Sequence, residues 1–138
     1  MAKDIIHNQV KNALIKDGWT ITADPFRIQY EEFDLSADLS AERTIVAHKN
    51  TRKIVVEVKS FVGRSFVTEF QKAIGQFTMY LSFMKLLDRL EFELFIGISE
   101  QVYKRYFGQK AVQALLAESP MPLLVVDINR EEVVKWIK

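Results

Sequence analysis

Hydrophobic residues recur along this chain with two different periods, and the switches between them mark out its elements. Over residues 2–16, Ile6, Val10, Ala13 and Leu14 fall at helical spacing, and Asp17-Gly18 supplies a stop. Residues 19–22 are rich in strand formers and lead to a turn signal at Asp24-Pro25, after which residues 26–30 extend again. Glu31-Glu32 reads as a solvated connection. Between residues 34 and 48, Leu39, Ala41, Ile45 and Ala47 share one strand parity, while Asp38, Ser40 and Glu42 share the other. Asn50-Thr51 reads as a hairpin turn into residues 53–61, which would set the two strands antiparallel.

The run 53–61 is the most informative. Ile54, Val56 and Val58 make one apolar face, and Val55, Glu57 and Lys59 share the other. Such a hydrophobic run predicts a central strand with a carboxylate and an ammonium on a face that should be buried. Ser65 then suits the N-cap of a long helix over residues 66–88, whose apolar positions repeat from Phe66 to Leu87. A strand over 93–98, helices over 100–107 and 111–117, a break at Pro120 and Pro122, and a strand over 123–128 follow. Residues 131–138 fit either a short helix or an edge strand. The sum is a mixed α/β domain spanning residues 1–138, with helices flanking a central sheet; the crossover through the long helix makes the next strand parallel.

Composition narrows the function classes. The chain has 138 residues, 49% of them hydrophobic, and no cysteine, which rules out disulfides and thiolate metal sites. No apolar run approaches the roughly 20 residues needed to span a bilayer, so a soluble, cytoplasmic protein is expected, with no membrane partner. A net charge of +1 carries no global nucleic-acid signature.

The candidate chemistry lies around the charged strand. Asp38 and Glu57, together with a backbone carbonyl, make an oxygen-rich donor set suited to Mg²⁺ or Mn²⁺. A metal there would activate water and neutralise charge on a phosphodiester, with Lys59 on the same strand face near the reacting phosphate. Gln76 and Tyr80, four apart on the long helix, share one face and could orient water or contact phosphate. The structural alternative is that Glu57 and Lys59 are alternating charges of a solvated strand and that Tyr80 edges a packing face.

The succession Asp38, Glu57-Val-Lys59 and Gln76-x-x-x-Tyr80 resembles the PD-(D/E)xK nuclease superfamily. That resemblance implies a restriction-endonuclease-like αβββαβ core in which Asp38 and Glu57 are metal ligands, Val58 lends its carbonyl, Lys59 is the catalytic lysine, and Gln76 and Tyr80 complete the site. Ala37 stands where the superfamily signature has proline, and Glu42 is a rival ligand to Asp38. The first helix offers Asp4, His7 and Asn8 where many related nucleases place a glutamate. Over nearly the whole chain, Lys3-Asp4, His7, residues 10–22, Asp24-Pro25, residues 38–42 and 53–61, Ala73-Ile-Gly-Gln76 and Val134-Lys-Trp136 resemble the XisH family of fdxN-element excision controlling factors of cyanobacteria. This implies a role in programmed, site-specific DNA excision during heterocyst differentiation, beside a site-specific recombinase and the companion factor XisI.

Two readings follow: a Mg²⁺- or Mn²⁺-dependent endodeoxyribonuclease, or a catalytically silent accessory protein that binds DNA, the recombinase or XisI. If DNA is bound, Arg43, Lys49, Arg52, Lys53, Lys59 and Arg64 would form a phosphate-contacting rim around the hairpin and strand exit. A homodimer is expected by analogy, with the Trp136 end and the helix after Glu100 as contact surfaces.

Overall fold

The computed structural model describes residues 5–37, 39–45 and 50–138, with only the backbone described between residues 36 and 51. The elements in order are α1 (His7–Lys16), β1 (Thr20–Ala23), β2 (Phe26–Tyr30), β3 (Phe33–Ala37), β4 (Leu39–Ile45), β5 (Asn50–Val58), α2 (Phe66–Leu86), β6 (Phe92–Ser99), α3 (Glu100–Tyr106), α4 (Lys110–Glu118), β7 (Leu123–Asp127) and β8 (Glu132–Ile137). A six-stranded sheet runs β1-β4-β5-β6-β7-β8, and β2 with β3 forms a separate hairpin. β1, β4 and β5 are antiparallel neighbours, β5, β6 and β7 are parallel, and β8 closes the edge antiparallel to β7. This is the mixed sheet flanked by helices that the patterning predicts.

Both faces of the centre are buried, which explains the unbroken apolar runs of β5 to β7. On one face Ile54, Val56 and Val58 pack with Phe95, Leu124 and the α1 residues Val10, Ala13 and Leu14. On the other, Val55, Ile96 and Ile98 pack beneath Phe70, Ala73, Phe77 and Tyr80 of α2, with Phe107 and Val112 from the region of α3 and α4. Gly97 leaves room for the Val56 side chain of the neighbouring strand β5, with Val10 of α1 at ordinary contact distance. A Cβ built there would lie 2.9 Å from Val56 Cγ1 and 3.5 Å from Val10 Cγ1.

Several boundaries differ from the sequence expectation. Helix α1 starts at His7, with Ile5 and Ile6 in a turn before it. The stretch 34–48 contains two strands of two different sheets, because β3 folds back on β2 through Glu31-Glu32, with Glu31 at φ 50°. Asn50 and Thr51 are already within β5, paired with Ile45 and Thr44, so they are not the hairpin turn. At its other end β5 stops at Val58, although Lys59 N–H still donates to Gly97 O at 2.9 Å. Residues 131–138 resolve as an edge strand, and Trp136 packs on Trp19 and Phe95 at centroid distances of 5.6 and 5.0 Å. That ring packs within the protein's own core.

The long helix forms as its sequence predicts. Ser65 Oγ accepts from Thr68 N–H at 3.3 Å, Glu69 lies in the first turn and Lys85 in the last. Among the described residues, no helix is long and apolar enough to cross a membrane.

Candidate functional site

The site is built on the carboxyl end of β5. Glu57 shares its face with Val55, which belongs to the α2 cluster, and its cross-strand partner on β6 is the fully buried Ile96. The carboxylate therefore lies beneath α2, and Glu57 is only 5% exposed. Lys59, two residues on, reaches back so that its Nζ lies 3.8 Å from Glu57 Oε1. Its side chain keeps 18% of its exposure, enough to open the pair to solvent on one side. A buried carboxylate is tolerated only with charge compensation, which Lys59 provides in this structure.

Helix α2 carries Gln76 and Tyr80 over the same face. Tyr80 is buried in the core cluster, and Gln76 Oε1 is buried with no hydrogen-bond partner among the described residues.

The other predicted site residues fall into those outside the described residues and those placed away from this centre. Asp38, Asp4 and Lys49 lie outside the described residues, so the convergence of Asp38 with Glu57 is outside what can be described. Glu42 and Arg43 are described by backbone alone. Glu42 pairs with Lys53, four residues before Glu57 on β5 and so roughly 13 Å along the strand. His7 stands on α1, across the sheet from Glu57, and is 3% exposed.

His7 belongs to a cluster that sequence reading missed. Its Nε2 lies 2.9 Å from Asp24 Oδ1, and Lys11 Nζ donates to Asp24 Oδ2 at 2.9 Å. Burial raises the Asp24 carboxyl, but the Lys11 and His7 hydrogen bonds and charges outweigh it and hold the carboxyl below its ordinary value of 3.8. The available signal was the spacing of His7 and Lys11, four apart on one helical face. Nothing local marks Asp24 as their partner; it reads only as a turn residue.

Among the described residues, the basic side chains Arg52, Lys53 and Arg64 do not form one surface. Arg52 donates from Nε and Nη2 to the two oxygens of Glu93 at 3.3 and 3.1 Å, and its guanidinium sits 5.6 Å from the Trp19 ring. Lys138 adds a contact to Glu93 at 3.2 Å, so despite its partial burial, Glu93 is held below the usual carboxylate range. Lys53 lies 5.9 Å over the Phe92 ring. Both cations sit at the start of β5, whereas Arg64 is exposed beyond its other end, roughly 20 Å away along the strand.

Among the described residues, no three His, Cys, Asp or Glu side chains gather as a metal site. The described donors that fit a hard cation are the Glu57 carboxylate and the Val58 carbonyl, an all-oxygen pair consistent with Mg²⁺ or Mn²⁺. The orphaned Gln76 oxygen adds a polar acceptor on the same side.

A model described as XisH protein matches residues 1–134. The chain is also similar to the crystal structure of an XisH family protein from Nostoc punctiforme PCC 73102, with 34% identity over 98% of this chain and 100% of that one, at a TM-score of 0.88. A second similar structure is a fdxN element excision controlling factor protein from Anabaena variabilis, 34% identical over 99% of this chain and 100% of that one, at a TM-score of 0.87. No curated protein matches.

Proposed function

The chain belongs to the XisH family, and from that premise we propose that it controls excision of a DNA element, hydrolysing phosphodiesters with a divalent metal at the Glu57–Lys59 site. The observation that carries the reading is the position of Glu57. A carboxylate 5% exposed at the end of a central strand, with an ammonium 3.8 Å away and Gln76 and Tyr80 on the covering helix, is costly to maintain for packing alone.

In this reading Glu57 and the Val58 carbonyl would hold Mg²⁺ or Mn²⁺, with a further ligand from Asp38; Glu42, opposite Lys53, stands too far along the strand to share that ion. The metal supplies charge neutralisation and a more acidic water. Lys59 stabilises negative charge as it develops on the phosphate, and its tether to Glu57 keeps the ammonium in place before substrate arrives. Gln76 orients the attacking water through its free amide oxygen. The excision complex would include DNA, a site-specific recombinase and an XisI-like companion, with the protein as a homodimer.

One observation favours the second reading, a silent accessory protein with the same fold. The Glu57 charge is already matched by the Lys59 ammonium 3.8 Å away, which compensates the carboxylate from within the chain. Incubating the wild type with supercoiled and branched DNA in Mg²⁺ or Mn²⁺ separates the two. Nicking abolished by EDTA supports hydrolysis; binding of DNA or a partner with no cutting in either metal supports control without chemistry.

A further inference from the structure

Directly after Lys59 the chain turns sharply and walls a groove. Phe61 adopts φ 55°, a strained conformation for a bulky residue, and its ring is locked against Phe66 and Phe107 at 5.3 and 5.8 Å. Tyr106 stacks on Phe66 at 4.1 Å from the other side. Residues 60–63 and the α3 side chains Gln101, Arg105 and Tyr106 enclose about 380 Å³ of open groove on this aromatic floor.

The charges around it are unequal. Of the carboxylates at its border, Glu69 lies against Gly63 and is paired with Lys72 at 3.8 Å, and Glu100, beside Gln101, is paired with Lys104 at 3.7 Å. Arg105 is exposed and has a ring contact with Tyr106 but no carboxylate partner among the described residues, and the exposed Arg64 follows the wall at Gly63 with none either. The groove is thus framed by packed aromatic rings and locally positive while the whole chain is nearly neutral.

We propose that this groove binds one strand of phosphodiester backbone as it leaves the Glu57–Lys59 site, with Arg64 and Arg105 on its phosphates and Gln101 as a neutral donor. The assignment rests on the reading of that site as one that processes nucleic acid. Its placement follows from chain connectivity, since Ser60 in the wall is the residue next to Lys59. Two arginines suit this ligand because guanidinium pairs with phosphate oxygens bidentately.

The test is fluorescence anisotropy of labelled single-stranded and duplex DNA with the full chain in EDTA, so that binding is read without cutting, over a salt titration. Replacing both arginines (Arg64→Gln with Arg105→Gln) should weaken binding at least ~10-fold and flatten the slope of log affinity against log salt by about one per arginine lost. Lys110→Gln, which removes an exposed cation outside the groove, should change neither. Wild-type affinity and slope in the double variant, an equal loss in Lys110→Gln, or no binding by the wild type would overturn the proposal. If the groove variants lose binding while the wild type cuts nothing in metal, the groove stands and hydrolysis falls. Normal binding by the variants beside metal-dependent cutting gives the reverse.

Discussion

His7 Nε2 lies 2.9 Å from Asp24 Oδ1, fastening the start of α1 to the end of β1 on the face of the sheet opposite Glu57. An ionised carboxylate only accepts, so His7 Nε2 bears a proton and donates it in the hydrogen bond to Asp24. Lys11 binds the second carboxylate oxygen at 2.9 Å, and together they keep the carboxyl ionised below its ordinary value of 3.8. A depressed carboxylate pKa contributes stability that is complete well above 3.8 and is lost as pH falls through the folded value.

Asp24→Asn should therefore destabilise the fold by about 1–3 kcal/mol near neutral pH. Most of this comes from the buried His7, because Lys11 is 35% exposed and its attraction is screened by solvent. Urea unfolding of both proteins should show the gap closing as pH drops below about 4. A gap that is constant with pH would mean that the carboxylate's charge contributes nothing.

How far the sequence reveals this molecule depends on the range of the interactions. β5 was legible because its parity alone places Val55, Glu57 and Lys59 together; Val55 lies in the cluster beneath α2, and the buried Glu57 pairs with Ile96 of that cluster. Helix α2 was legible because its N-cap and its apolar repeat are local signals. The β2–β3 hairpin was not, because its turn is Glu31-Glu32, with none of the glycine or asparagine that marks tight turns. Asp24 was missed for a related reason: its partners lie 17 and 13 residues away and are brought to it only by packing.

Gly97→Ala tests the packing of β6 against the Val56 side chain of β5. The new methyl would sit 2.9 Å from Val56 Cγ1, closer than side-chain atoms pack, and should cost about 1–3 kcal/mol in unfolding free energy. Combined with Val56→Ala, the loss should be smaller than the sum of the two single losses, because the second change removes the obstructing group. Strict additivity would show that the strain is relieved elsewhere.

Arg52 provides a check on the basic surface. Its guanidinium is committed to Glu93, and both side chains are about one-third exposed. Arg52→Ala should lower stability by no more than about 1 kcal/mol, and less in high salt. It should leave the salt slope of DNA binding unchanged. A slope flattened by about one would show that Arg52 leaves Glu93 to contact phosphate.

The pairing of Glu57 with Lys59 is the centre of the account, and single-turnover cleavage of DNA in Mg²⁺ or Mn²⁺ tests it most directly, with Glu57→Gln and Lys59→Ala compared with the wild type. Loss of a group that holds metal or stabilises developing charge should slow cutting by ~100-fold or more in each variant while DNA binding persists. Cutting at the wild-type rate by either variant, with the fold intact, would contradict the assignment of this strand as the catalytic site.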